Sequence, residues 1–258
     1  MTTDTLRYIG LIPAAGQATR LAPLPCSKEI YPIGFRLSAT GEKRPKVVAQ
    51  YLLEAFQAVG IRQVVMVLRQ GKWDIPSYFQ GEASLGLDFA YCLMQRPYGA
   101  PFTLDAAYPF VQDAIVAMGF PDIIFEPQTA FASVKARLFE AGADIALGAF
   151  RVAEPERCDM VVLDGDGFVT DIRIKRQDIG LPYSWGIAMW TPVFSRYLHD
   201  VVGRYVERGV TAELHVGHVL QMALTDGFSI PAVTFDSEYI DIGTPAGLMA
   251  AQRRYGAL

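Results

Sequence analysis

The sequence is short of the residues that mark several common protein classes. Its three cysteines, Cys26, Cys92 and Cys158, are far apart and odd in number. They fit neither zinc-ligand spacing nor a disulfide framework, so a reducing compartment, the cytoplasm, is expected. Positive charge is not in excess: 23 Lys and Arg stand against 27 Asp and Glu, a formal net charge of −4. Without a basic stripe, nucleic acid is excluded as the expected partner. No apolar run reaches the ~18 residues of a membrane span, and Met1–Arg7 is polar, unlike a signal peptide. GxGxxG and GxxxxGK[ST] are both absent, which removes the dinucleotide fingerprint and the usual P-loop. No Ser/His/Asp or Cys/His constellation suggests a covalent hydrolase. Linkers, repeats and low-complexity segments are also missing.

What is present is a large apolar share, 51% of the residues, enough for a sizeable core. Residues 7–13, 61–68, 114–118 and 144–150 are apolar runs that read as strands buried on both faces. Two helical patterns alternate with them. In the first, Val48, Leu52, Ala55, Phe56 and Val59 share a face, with Pro45 in the first turn and Gly60 at the end. In the second, Phe131, Val134, Leu138 and Ala141 share a face and Gly142 stops the helix. The alternation argues for a mostly parallel sheet covered by helices. After about residue 150 the rhythm changes. "DMVVLDGDGFVTDIRIK" reads as a hairpin turning at Asp-Gly-Asp-Gly, which lacks the length and closing Glu of a calcium loop. "WGIAMW" reads as a strand, and 194–209 and 211–227 as helices. A short strand, a turn and a final helix follow. One unit over 1–258 is expected, with two functional halves, about 1–150 and about 151–258.

The stretch "PAAGQATRLAPLPCSKEIYPIG" leaves a strand through small residues. Ala14, Ala15, Gly16 and Ala18 let backbone N–H groups approach phosphate oxygens, with Gln17 in the same turn. Thr19 adds a hydroxyl, Arg20 a two-pronged donor and Lys28 a point charge. An acidic protein that handles anions must gather its positive charge locally in this way.

The whole stretch resembles the signature loop of the sugar-1-phosphate nucleotidyltransferases, approximately GxGTR[LM]xP followed by [SP]KxxxPI. Gly16, Thr19, Arg20, Leu21, Pro23, Ser27, Lys28, Pro32 and Ile33 match. Ala18 replaces the second glycine; if that position needs φ > 0, an alanine there is strained by ~1 kcal/mol or more. The resemblance continues in order along nearly the full length. It implies that Asp122, in "MGFPDIIF", and Asp241, in "YIDIGTPAG", hold a catalytic Mg²⁺. It implies that Lys175 contacts the acceptor phosphate, that Gln95 and Gly99 read the base, and that Asp159 and Glu213 lie in the acceptor pocket. The implied fold is a Rossmann-like α/β/α sandwich with a mostly parallel central sheet and an inserted small sheet for the acceptor. The implied reaction joins a nucleoside triphosphate, dTTP or UTP, to a sugar-1-phosphate. Assembly of like chains is left open.

The acceptor half departs from the family pattern. Ile174-Lys175-Arg176 stands where Glu-Lys-Pro is common, Asp159 replaces a glycine, and His215, Gly217 and His218 follow Glu213. Glucose is therefore not the expected acceptor. His215 and His218 lack a third ligand and are expected to pack or to line the pocket, as are Trp185 and Trp190. Two rival functions remain. One is cytidylyl or other nucleotidyl transfer to a non-sugar phosphate or phosphonate. The other is a non-catalytic nucleotide-binding regulator.

Overall fold

In a computed structural model, residues 7–38, 40–80, 86–175 and 180–256 are described; Arg176 lies outside them. The chain opens with β1 (Tyr8–Ala14), then a hairpin of β2 (Pro32–Leu37) and β3 (Lys43–Val47) that leads into α1 (Val48–Ala58). Next come β4 (Gln63–Leu68), α2 (Asp74–Gln80), β5 (Asp88–Leu93), α3 (Ala100–Asp105), α4 (Tyr108–Val111) and β6 (Ile115–Gly119). The short β7 (Ile123–Ile124) precedes α5 (Ala130–Glu140) and β8 (Ile145–Arg151). The rest is β9 (Asp159–Leu163), β10 (Val169–Ile174), β11 (Tyr183–Trp190), α6 (Pro192–Glu207), α7 (Val216–Thr225), β12 (Ala232–Glu238), β13 (Ile240–Asp241) and α8 (Pro245–Tyr255).

Nine strands form one sheet in the order β10-β9-β11-β6-β1-β4-β5, with β8 also against β11 and β12 beyond β8. The pairing directions make seven of the nine strands run one way; β10 and β11 run against them. The α/β fold with a mostly parallel central sheet is therefore what the sequence pattern implied. The β9–β10 hairpin is joined to the main sheet where Met160 meets Ser184.

Both faces are covered, which is why the central strands are apolar at every position. On one face Ile9 and Leu11 of β1 pack with Phe102, Phe194 and Leu220 from α3, α6 and α7. On the other, Ile12 and Ala14 pack with Leu52, Phe56 and Phe131 from α1 and α5. Among the described residues, no helix is long and apolar enough to cross a membrane.

Two expectations are corrected. Pro45 does not begin a helix; it lies in β3 opposite Phe35. A two-stranded hairpin is all edge, so a missing N–H is tolerated there. The helix starts at Val48, where the Gln50 side chain accepts the Val47 N–H at 2.8 Å. The segment 211–215 is also not helical. Leu214 is buried and donates its N–H to Tyr98 O at 2.8 Å, which ties this segment to the 98–99 turn, and α7 begins only at Val216.

Candidate active site

Parallel strands deliver their carboxyl ends to one edge of the sheet, where open α/β folds collect ligands. β1 ends at Ala14; Ala14 and Ala15 are buried, and Gly16, Gln17, Thr19 and Arg20 are exposed. Ala18 adopts φ +54°, so the turn does use a left-handed residue where the sequence carries a Cβ. A turn of 3-10 helix at Lys28–Ile30 then brings the Lys28 ammonium back under the loop. A Cβ on Gly16 would lie 3.6 Å from Lys28 Nζ. Buried Lys72 braces the arrangement, donating to Ala14 O at 2.9 Å and to Glu29 Oε1 at 2.6 Å.

Asp122 and Asp241 are brought together by the smallest strand pair in the fold. β7 and β13 pair antiparallel, with Asp241 opposite Ile123, and Ile242 donates its N–H to Asp122 O at 2.9 Å. A Cβ on Gly243 would meet Asp241 Oδ1 at 2.8 Å, Asp122 Oδ2 at 3.2 Å and an Arg20 guanidinium nitrogen at 3.4 Å. Lys28 Nζ is 2.5 Å from Asp122 Oδ2. The four groups thus meet around one point. Burial pushes the Asp122 carboxyl up, but the Lys28 ammonium outweighs it and holds the carboxyl below its ordinary value. Asp241 is held above its ordinary value, by burial and then by the Asp122 charge, against the Gly243 N–H, Lys28 and Arg20.

A pocket of about 200 Å³ opens beside this point, lined among others by Asp159, Lys175, Trp185, His215 and Tyr239. Asp159 faces Ile174 across the β9–β10 ladder. Lys175 is one residue past β10 with φ +44°, and its Nζ is 3.5 Å from the His215 ring nitrogens. Burial raises the Asp159 carboxyl, partly offset by His215, Lys175 and the Gly217 N–H. Burial and then Lys175 lower His215. Asp159 Oδ1 and Trp185 Nε1 are buried without a hydrogen-bond partner among the described residues, so the wall holds one unspent acceptor and one unspent donor.

Gln95 is exposed, two residues beyond β5. Gly99 has φ +113°, and a Cβ there would fall 2.0 Å from Leu214 O; only glycine fits. The 98–99 turn therefore abuts the segment holding Glu213, which is exposed, 3.8 Å from His215 Nδ1.

No family model matches the chain. The chain is 25% identical to the glucose-1-phosphate thymidylyltransferase of Streptomyces antibioticus, over 94% of this chain and 65% of that protein. It is 24% identical to the low-salt glycan biosynthesis nucleotidyltransferase of Haloferax volcanii, over 95% and 65%. The chain thus spans 65% of the length of these curated relatives. Among solved structures, a Bacillus anthracis protein assigned as a glucose-1-phosphate thymidylyltransferase superposes with a TM-score of 0.80 at 17% identity, covering 97% of this chain and 96% of that one. A UDP-glucose pyrophosphorylase solved with UDP-glucose gives 0.77 at 16% identity, covering 97% and 99%. The fold is that of the sugar-1-phosphate nucleotidyltransferases.

Within that fold the structure brings Arg20, Lys28, Asp122 and Asp241 to one point, and Asp159 and Lys175 to the pocket beside it. Gln95, Gly99 and Glu213 are not among the residues that line that pocket, although Gly99 abuts Leu214, next to Glu213. Sequence reasoning missed the Glu29–Lys72 pair. A lysine four residues past a strand looks solvated until the register, Ala14 opposite Leu68, puts that turn against the β1 loop.

Proposed function

We propose that this chain is a sugar-1-phosphate nucleotidyltransferase, joining a nucleoside triphosphate to a sugar-1-phosphate and releasing pyrophosphate. The observation that carries the reading is the meeting of Arg20, Lys28, Asp122 and Asp241 around Gly243 beside a small-residue turn. A purely regulatory nucleotide binder has no need of a buried and a half-buried carboxylate at that point. Mg²⁺ fits the donor set, because it prefers one or two carboxylates and takes its remaining ligands from phosphates and water. Among the described residues no cluster of three His, Cys, Asp or Glu offers a fuller cage. Asp122 and Asp241 would hold the ion, which when bound draws electron density from the phosphate oxygens it touches.

The chain's own groups do the remaining work. An acceptor phosphate oxygen attacks the α-phosphorus. The bond from that phosphorus to the oxygen bridging toward the β-phosphate breaks, and pyrophosphate leaves with the electron pair. A phosphate dianion needs no general base, so positioning and electrostatics suffice. The N–H groups of residues 14–19 and the Arg20 fork hold the triphosphate, and Lys28 neutralises it. Lys175 holds the acceptor phosphate, with Asp159 and Glu213 at the acceptor. Gln95 and Gly99 read the base. The thymidylyltransferase relative and the neighbour bound to UDP-glucose both handle dioxopyrimidines, which favours dTTP or UTP. Such triphosphates are confined to the cell interior, so the reading puts the chain in the cytoplasm.

One observation favours a second acceptor class, a non-sugar phosphate or phosphonate that carries a cationic group: the carboxylate of Asp159 in the pocket wall, which would pair with that cation. A screen of pyrophosphate release from five nucleoside triphosphates, against sugar-1-phosphates and phosphonates, tests both. The expected best pair is dTTP or UTP with a sugar-1-phosphate other than glucose-1-phosphate, with activity lost in EDTA. Highest kcat/KM with glucose-1-phosphate overturns the acceptor assignment. A phosphonate winner moves the chain to the second class, and persistence in EDTA removes the metal.

A further inference from the structure

A second pocket, of about 240 Å³, lies under the signature loop. Gln17, Ala18, Lys28, Arg69, Lys72 and Asp74 are among the residues that line it. Its charges are not equally available. Lys28 is paired with Asp122 and Lys72 with Glu29. Asp74, the carboxylate of this wall, accepts the Ser27 N–H at 2.7 Å on one oxygen and the Ser27 hydroxyl at 2.8 Å on the other. Arg69 is different. No described residue forms an ion pair or hydrogen bond with its side chain, and its Nε is buried without an acceptor.

Leaving a guanidinium N–H enclosed and unsatisfied is costly, and the cost is recovered when an anion enters. The place of Arg69 says which anion. Leu68, the last residue of β4, is paired with Ala14, the last residue of β1. Arg69 is therefore the first residue beyond the sheet on the strand next to the phosphate-binding turn. Asp122, Asp241 and the α-phosphate they would serve lie toward β6, on the other side of β1. An anion reaching from there across the loop toward β4 is the outer part of a triphosphate. We propose that Arg69 binds the β- and γ-phosphates of the nucleoside triphosphate and retains them as pyrophosphate after the bond to the α-phosphorus breaks. The assignment rests on the nucleotidyl-transfer reading. It makes Arg69 the cation of the leaving group, distinct from Lys28, whose charge is already shared with a carboxylate. A planar fork suits two adjacent phosphates better than an ammonium does.

The test is calorimetric titration of Mg-pyrophosphate and, separately, a nucleoside monophosphate into wild type, Arg69→Ala and Arg69→Lys, with steady-state KM values alongside. Loss of a charge-assisted pair should weaken pyrophosphate binding ~10- to 100-fold in Arg69→Ala, with a smaller loss in Arg69→Lys. Monophosphate affinity and the KM for the sugar-1-phosphate should stay unchanged while the KM for the triphosphate rises. Arg69→Lys keeps the charge and the stem, so it carries the test if Arg69→Ala fails to fold. Unchanged pyrophosphate affinity in a folded variant overturns the assignment and leaves the reaction class intact, as does an equal rise in both KM values. Wild type that binds neither pyrophosphate nor triphosphate overturns both.

Discussion

Asp122 and Asp241 share one neighbourhood and are shifted in opposite directions, and the cause is which of them owns the lysine. Asp122 has Lys28 at 2.5 Å; Asp241 has a like charge beside it and only a backbone N–H as close partner. Removing each charge should therefore change stability with opposite sign. Asp122→Asn leaves Lys28 half-buried and unpaired and should cost about 1–3 kcal/mol. Asp241→Asn removes a repelled charge and should raise Tm in metal-free buffer. A carboxyl held above its ordinary pKa burdens the fold only where it is ionised, so that gain is present at neutral pH. It fades as pH falls through the folded pKa and is gone below the ordinary carboxylate range. Turnover should collapse in both variants, and the double variant should lose little more than the worse single one, because both residues would serve one ion. Thermal melts in EDTA from pH 4 to 8, with kcat against Mg²⁺, check this. Multiplicative losses in kcat, or a lower Tm for Asp241→Asn at pH 7, would show that the two carboxylates do not act as one unit.

The same residues show what the sequence could reveal. Arg20, Lys28, Asp122 and Asp241 stand in short motifs that survive in one dimension, so the resemblance to a known family could imply their meeting, which spacing alone could not. Ala18 was legible only as a conflict, a Cβ where a left-handed turn is wanted; φ +54° resolves it in favour of the turn. Arg69 was not legible, because its significance comes from strand register, which local pattern does not encode.

Among the elements, the long apolar strands and the helices at 48–58 and 130–140 could be read from periodicity, since burial on one or both faces writes itself into the sequence. The hairpin of β2 and β3 could not. Pro45 is equally at home in a first helical turn and on an edge strand. The start of α7 was misplaced for a tertiary reason, the bond from Leu214 to Tyr98. That start carries consequences for the pocket proposed to take the acceptor. A Cβ on Gly217 would fall 2.6 Å from Asp159 Oδ2 and 3.0 Å from Ile174 Cγ1. Gly217→Ala should thus displace the Asp159 carboxylate, although alanine alone would favour the helix by about 1 kcal/mol. The expected result is a higher KM for the acceptor, an unchanged KM for the triphosphate and a lower Tm. A rise in Tm with both KM values unchanged would mean that α7 does not position Asp159.

For the whole molecule, the decisive feature is how the sheet is interleaved. β11 lies between β8 on one side and, at different points along its length, β6 and β9 on the other. Within the sheet β8 has only β11 and β12 as partners, and both come after residue 150. The stretches before and after residue 150 therefore share one sheet, and neither can close its core without the other. Urea unfolding followed by tryptophan fluorescence and by far-UV circular dichroism should give coincident single transitions. A fragment of residues 1–150 should fail to show a cooperative one. Two separated transitions would divide the chain where the sheet does not.

The pairing of β7 with β13 also has a meaning in time. As the chain leaves the ribosome, Asp122 appears early and Lys28 is already there to neutralise it. More than a hundred residues are translated before Asp241 arrives. The proposed metal site therefore stays one carboxylate short until β13 reaches β7.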